Sequence, residues 1–322
     1  MKWIGSIAAA LLCGATLLGG IASCEKAPEA GQKVFVMVPK GIHSYYEPCW
    51  QGFQDAAKKY GVEVKKSEPT KFELPLQVQT LESVIASKPT GIAISALDDK
   101  GLKNIIDKAS DAGIKVITFD APAPSSKELC YVGTANDKAG YDAGVEIAKL
   151  MNNEGEVAIL EGGIGTLNLD DRFEGFKKAL AEKAPKISIV AREDTHGDLA
   201  EATTRTENIL TAHPNLKAIF GVSSECVPGV ISVLKRPDNT KTGLIVAGFD
   251  DDPATIAGIK AGIVQFCIVQ KTYKMGWVSL EMLLDASNGK SIPTQVDTGV
   301  TLVTKANVDT YMQDAVKEFS GK

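Results

Sequence analysis

The sequence predicts a doubly wound α/β protein with two parallel-sheet domains, on three observations. Apolar runs of five to seven residues recur along the chain, amphipathic helical segments lie between them, and 322 residues suit two domains of roughly 100–200 residues each. A nearly continuous apolar run is what a parallel strand buried on both faces needs.

The chain opens with an address. Met1-Lys2-Trp3 carries one positive charge, and Ile4 to Ile21 is an uncharged run rich in Ala, Gly and Leu. Residues 1–23 read as a secretory signal peptide; the glycines make the run a poor membrane anchor, although its length would nearly suffice. Ile21-Ala22-Ser23-Cys24 resembles the bacterial lipoprotein cleavage box, so Cys24 is the expected lipidation site and new N-terminus, and residues 24–32 a polar tether. The alternative is an ordinary signal followed by a chance cysteine. Cleavage leaves 34 basic against 40 acidic residues, a charge of −6. A phosphate backbone gains little attraction from such a surface, which argues against nucleic acid. Cys49, Cys130, Cys226 and Cys267 are widely spaced, which favours buried thiols over a disulfide framework, though export permits disulfides.

Strands are expected at Val34–Val38, Gly91–Ser95, Lys115–Phe119, Glu156–Leu160, Ser188–Ala191, Ala218–Val222, Leu244–Phe249 and Gln265–Val269. Helices are expected at Glu47–Tyr60, Leu74–Ser87, Gly101–Ala112, Lys138–Met151, Asp170–Glu182, Ala200–His213, Thr255–Ala261 and Tyr273–Ser287. The strands divide before and after Tyr131–Asn136. That gives two sheet domains with a ligand between them.

A weak internal echo supports duplication. Val116 to Pro122 and Ile245 to Pro253 each contain a buried strand that ends in Phe-Asp, with proline two or more residues on. Ligands of open α/β sheets bind beyond the carboxyl ends of strands, so Asp120 and Asp250 should face one cleft from opposite domains. Alone, either aspartate would pass for a turn or helix cap.

Catalytic and metal motifs are missing. There is no G-x-x-x-x-G-K-[ST], G-x-S-x-G, H-E-x-x-H or C-x-x-C, and Glu161 to Asn168 lacks the third glycine of a dinucleotide loop. His43, His196 and His213 lie far apart, so neither a metal nor a cofactor is expected. Asp250-Asp251-Asp252 lacks the alternation of a calcium loop.

Four ordered segments resemble the periplasmic sugar-binding proteins of the ribose/galactose type over about residues 33–305: Ile114 to Asp120, Asp171 to Phe176, Ile209 to Asn215 and Val246 to Asp250. The resemblance implies the type I periplasmic binding protein fold, two Rossmann-like lobes joined by a three-crossing hinge near Tyr131–Asn136, Ile268–Lys271 and Gln295–Val300. It divides the mature chain into an N-terminal lobe, 33–133 plus 271–297, and a C-terminal lobe, 134–270 plus 298–322. The family also includes repressors, but a signal peptide stands where their helix-turn-helix would be.

Carried over residue by residue, the resemblance makes Asp120 and Asp250 acceptors of sugar hydroxyls and Arg172 a donor. Asn168 is its neighbour, Gln270 the hinge-adjacent glutamine, and Tyr45 and Tyr46 the aromatic cover of the ring. The roles are physically coherent, because a sugar leaving water needs its hydroxyls paired and charged partners pair them best. Departures from the ribose pattern fall at contact positions. An arginine is replaced by Ala121 and two asparagines by Ser95 and Ser223, and a loop now contains Lys40 and His43. They imply a ligand other than ribose. Val38-Pro39-Lys40 and Glu68-Pro69-Thr70 also resemble a branch that binds the furanosyl signal autoinducer-2.

The expected function is thus a non-enzymatic, monomeric solute-binding lipoprotein. It would hold a pentose, hexose or sugar alcohol and deliver it to an ABC permease of the inner membrane, touching membrane only through its lipid. A receptor that feeds a chemoreceptor or sensor kinase would have the same fold, and an enzyme that uses Asp120 and Asp250 as an acid/base pair is the third class.

Overall fold

Strand β1 (Val34–Val38) is buried along almost its whole length and sits inside a six-stranded sheet. Its companions are β2 (Glu63–Lys66), β3 (Gly91–Ile94), β4 (Lys115–Phe119), β5 (Tyr131–Gly133) and β11 (Gln295–Asp297), in the order β11-β5-β4-β3-β1-β2. A second sheet repeats the arrangement with β6 (Glu154–Glu161), β7 (Lys186–Asp194), β8 (Leu216–Gly221), β9 (Ile245–Phe249), β10 (Phe266–Gln270) and β12 (Val300–Thr304), ordered β12-β10-β9-β8-β6-β7. These strands come from a computed structural model that describes residues 31–311, so Cys24 and the expected signal peptide lie outside the described residues.

Every pairing in the first sheet is parallel. In the second, β12 runs antiparallel to β10. The reason is the crossing: β11 runs with β5, and only two residues separate it from β12. The chain therefore enters the second sheet at the carboxyl ends of its strands and must run back along β10. It passes between the sheets three times, after β5, after β10 and after β11.

Each sheet is covered on both faces. Helices α1 (Tyr46–Tyr60), α2 (Leu74–Ala86), α3 (Asp99–Asp111) and α9 (Thr272–Ser287) belong to the first; α4 (Asn136–Leu150), α5 (Leu167–Lys183), α6 (Leu199–Ala212), α7 (Cys226–Leu234) and α8 (Pro253–Ala261) belong to the second. Phe35, Met37, Ile117 and Phe119 face one core of the first sheet, and Val36, Ile92, Ile94 and Val116 face the other. The alternation of side chains along a strand produces that division. Cys49, Cys130, Cys226 and Cys267 are all buried as free thiols.

The helix that follows β5 packs in the second lobe, α4 against α5, and the helix that follows β10 packs in the first, α9 against α1. Glycines make both contacts. A Cβ on Gly140 would lie 1.9 Å from the carbonyl oxygen of Arg172, and one on Gly175 2.0 Å from that of Asp137. In the first lobe the matching distances are 1.8 Å from Gly276 to Cys49 and 2.1 Å from Gly52 to Tyr273. Backbones this close admit no side chain.

Candidate ligand-binding cleft

Asp120 and Asp250 each follow directly on a buried Phe at a strand end. The Asp120 amide donates to the Val132 carbonyl at 3.1 Å, and the Asp250 amide to Ile268 at 2.9 Å. Both residues adopt left-handed backbone, φ 60° and 68°. Such strain is worth roughly 1–3 kcal/mol, persists only where the surroundings impose it, and is best tolerated by Asn and Asp. The strain turns each carboxylate off its strand towards the interlobe space.

Asp120 is the anchor of the first lobe. Its Oδ2 accepts from Ser95 Oγ at 2.6 Å and Tyr46 OH at 3.1 Å, its Oδ1 accepts from Tyr45 OH at 3.0 Å, and Lys40 Nζ stands 3.6 Å away. Burial alone would raise its pKa; the Lys40 charge and the Ser95 hydrogen bond outweigh it and hold the carboxyl below its ordinary value. Gln77, fully buried on α2, ties down the loops beneath, donating to the carbonyls of Pro39 and Ser95 and accepting from the Leu97 amide.

Arg172 holds the second lobe's side. Helix α5 begins at Leu167, three residues before the expected start, so Asn168 and Arg172 lie one turn apart on one face. Arg172 is 1% exposed: Nε donates to Asn136 Oδ1 at 2.9 Å, Nη1 to the Val222 carbonyl at 2.9 Å, and the guanidinium lies 4.1 Å over the Phe249 ring. Its Nη2 is buried with no hydrogen-bond partner. Asn136 is itself fixed by Tyr131, whose hydroxyl receives its amide at 3.1 Å and donates to the carbonyls of Asp120 and Thr134.

Asp250 Oδ1 accepts from Gln270 Nε2 at 2.9 Å, and Gln270 Oε1 accepts from Thr134 Oγ1 at 2.9 Å. Burial pushes the Asp250 carboxyl up to about 7, against the opposing pull of Arg172 and Gln270. Across the cleft Lys40, 6% exposed, donates to Asn168 Oδ1 at 3.2 Å, a direct link between lobes. Burial lowers the Lys40 pKa, with Asp120 acting the other way.

The cavity between these side chains measures about 80 Å³ and is partly open to solvent. Lys40, His43, Tyr45, Tyr46, Asp120, Asn168, Arg172, Ser223, Asp250 and Gln270 all line it. Ser95 and Ala121 do not. Ser95 sits behind Asp120 as its donor, and the buried Ala121 follows it in a tight turn, its amide 2.6 Å from the Phe119 carbonyl. The Tyr46 ring packs edge-on to Phe119 in the core, so Tyr46 presents its hydroxyl, while Tyr45 is only partly buried. His43 Nδ1 accepts from the Tyr45 amide. Asp251 accepts from Tyr311 OH and Asp252 caps α8, both away from the cleft lining.

Sequence reasoning missed Phe72, Leu97, Thr166 and Glu225, which also line the space. They sit on loops between elements, where no periodicity marks them. Among the described residues no group of three His, Cys, Asp or Glu side chains could hold a metal. A site with buried carboxyl acceptors, an incompletely bonded guanidinium and a lysine is built to bind a small polar solute.

Residues 34–291 match the periplasmic binding protein domain. The chain belongs to the periplasmic binding protein family. It is a type I periplasmic binding protein of the ribose/galactose type. One similar structure is an ABC transporter solute-binding protein from Burkholderia graminis in complex with D-arabinose, 37% identical with a TM-score of 0.85, covering 88% of this chain and 99% of that one. The xylose/arabinose-binding protein XylF of Sulfolobus acidocaldarius is 27% identical over 83% of this chain and 70% of its own. The ribose import binding protein RbsB of Bacillus subtilis is 24% identical over 79% and 81%. These relatives are solute-binding proteins. A periplasmic binding protein works in the periplasm or elsewhere outside the cytoplasm, and no described helix of this one is long and apolar enough to cross a membrane.

Proposed function

We propose that this protein is the solute-binding component of an ABC importer. It captures a monosaccharide or sugar alcohol other than ribose between its lobes and hands it to a permease without chemical turnover. The observation that carries the reading is Arg172 Nη2, buried in the cleft wall without an acceptor beside an Asp250 carboxylate with one oxygen engaged by Gln270. A sugar hydroxyl both accepts and donates, so it completes both groups at once. Lys40, Asn168 and Asp120 supply further partners, and the Tyr45 ring covers the sugar's C–H surface. The D-arabinose bound by one similar protein and the xylose and arabinose for which another is named point to a pentose first.

The lobes, 33–133 with 271–297 and 134–270 with 298–322, close over the ligand as two bodies of one monomer. Cys24 carries the lipid that holds the protein to the membrane. Calorimetric titration with D-arabinose, D-xylose, D-ribose, D-galactose and xylitol tests the ligand class; heat with a pentose and none with ribose is expected, and silence with all five refutes it. Cys24→Ala should move the protein from the membrane to the soluble fraction.

A further inference from the structure

Glu225 lines the cleft at the start of α7. It occupies the N-cap of α7, where side chains ordinarily turn back to satisfy the first free amides, yet it makes no such bond. It turns into the cleft instead and is 9% exposed. Thr195 Oγ1 at 2.5 Å and Ser223 Oγ at 2.7 Å donate to Oε1, with Cys226 Sγ at 3.5 Å. All three reach the same oxygen; among the described residues no donor reaches Oε2.

The neighbouring backbone is shaped around this side chain. A Cβ on Gly162 would stand 2.5 Å from Ser223 Oγ and 2.6 Å from Glu225 Oε1. Any other residue at 162 would displace the pair. Lys40 of the opposite lobe and Glu225 line the same space. Oε1 is fixed by the protein, while Oε2 has no donor from the described residues and is not one of the fully buried unpaired atoms, so it meets the cavity; a ligand that displaces water there must supply a donor.

We propose that Glu225 is a specificity-determining residue whose Oε2 accepts a hydrogen bond from one hydroxyl of the bound sugar. It thereby selects that sugar over the analogue lacking the hydroxyl. The assignment rests on the monosaccharide reading of the cleft and sharpens it. Under a bound analogue that lacks the hydroxyl Oε2 is covered and unpaired, and sites built to bond a hydroxyl reject the deoxy analogue far more strongly than apolar pockets reject a missing methylene. Thr195 and Ser223 act through Glu225 as positioning residues.

The test is calorimetric titration of the wild-type protein, E225Q and E225A with D-arabinose, D-xylose and D-galactose and with the monodeoxy derivatives of each. In the wild type, removal of one particular hydroxyl should weaken binding about 10- to 100-fold more than in E225A, where parent and deoxy sugar should bind within about threefold. E225Q keeps an acceptor for Thr195 and Ser223, so it carries the test if E225A fails to fold. It should bind the parent sugar at least about tenfold more weakly, with an unchanged melting temperature in the absence of ligand. Equal deoxy penalties in the wild type and the variants overturn the role of Glu225 and leave the sugar reading intact. A wild type that binds none of these sugars, nor D-ribose or xylitol, overturns both.

Discussion

Thr134 and Gln270 are joined side chain to side chain at 2.9 Å at two of the places where the chain passes between its lobes. The far end of the same Gln270 carboxamide holds Asp250. The orientation of a cleft carboxylate is therefore set at the hinge. Thr134→Val removes the donor and lets the carboxamide turn, so affinity for the sugar should fall by about 1–2 kcal/mol. Thr134→Ser should restore it. Calorimetry on the three proteins decides; equal affinities would mean that Gln270 is held by packing alone.

Asp250 gives the unliganded protein a pH dependence of definite sign. Its folded-state pKa, pushed up to about 7, lies above the unfolded value near 3.8. The stability it contributes is thus complete below the unfolded value and is lost as pH rises through 7, on the order of a few kcal/mol in all. Melting temperatures of the wild type should fall relative to Asp250→Asn between about pH 5 and pH 8. A hydroxyl that donates to Asp250 favours its ionised form, so sugar binding should tighten over the same range and release a proton. Titrations in buffers of different ionisation enthalpy measure that release.

Asp120 has the opposite sign. Its folded value is depressed, so its contribution is present above about pH 4 and lost as pH falls through the folded value. Asp120→Ala strands three hydroxyls and the Lys40 ammonium in a buried site. A loss of about 3–5 kcal/mol is expected in denaturant unfolding at neutral pH. Asp120→Asn, which tolerates the same left-handed backbone, should lose less than half of that.

Gly140→Ala presses a methyl group onto the Arg172 carbonyl, and Gly276→Ala presses one onto Cys49 in the matching contact of the other lobe. Each should destabilise by about 3 kcal/mol or more. Only the first displaces a cleft residue directly, so Gly140→Ala should weaken sugar binding more than Gly276→Ala at equal loss of stability. Paired unfolding and binding measurements separate the two.

The central strands were legible because burial on both faces leaves a continuous apolar run, as in β3 and β8. The four strands that escaped are short or polar and lie at or towards the sheet edges. Glu63-Val64-Lys65-Lys66 is half-buried, Tyr131 to Gly133 and Gln295 to Asp297 have three residues each, and Val300 to Thr304 pairs antiparallel. Helix α7 was hidden by Pro228-Gly229 and by being apolar all round, which removes the amphipathic signal. In the cleft, Asp120 and Asp250 could be read because strand ends are marked by sequence. Glu225 could not, because its place depends on Thr195 and Gly162, which the fold alone brings beside it.

The first lobe also has a timetable. Its sheet needs β11 and its core needs α9, and both come from residues beyond 271, after the whole of the second lobe's parallel sheet has been made. The second lobe has all but one of its strands in an unbroken stretch from 154 to 270. Contacts between residues distant in the chain form late, and the second lobe waits for β12 as the first waits for α9 and β11, so neither lobe is complete until the end of the chain is in place. Until the final fifty residues or so are in place, the surfaces of α1 and β5 that α9 and β11 cover remain exposed, and exposed apolar surface and unpaired strand edges of that kind are where an incomplete fold aggregates.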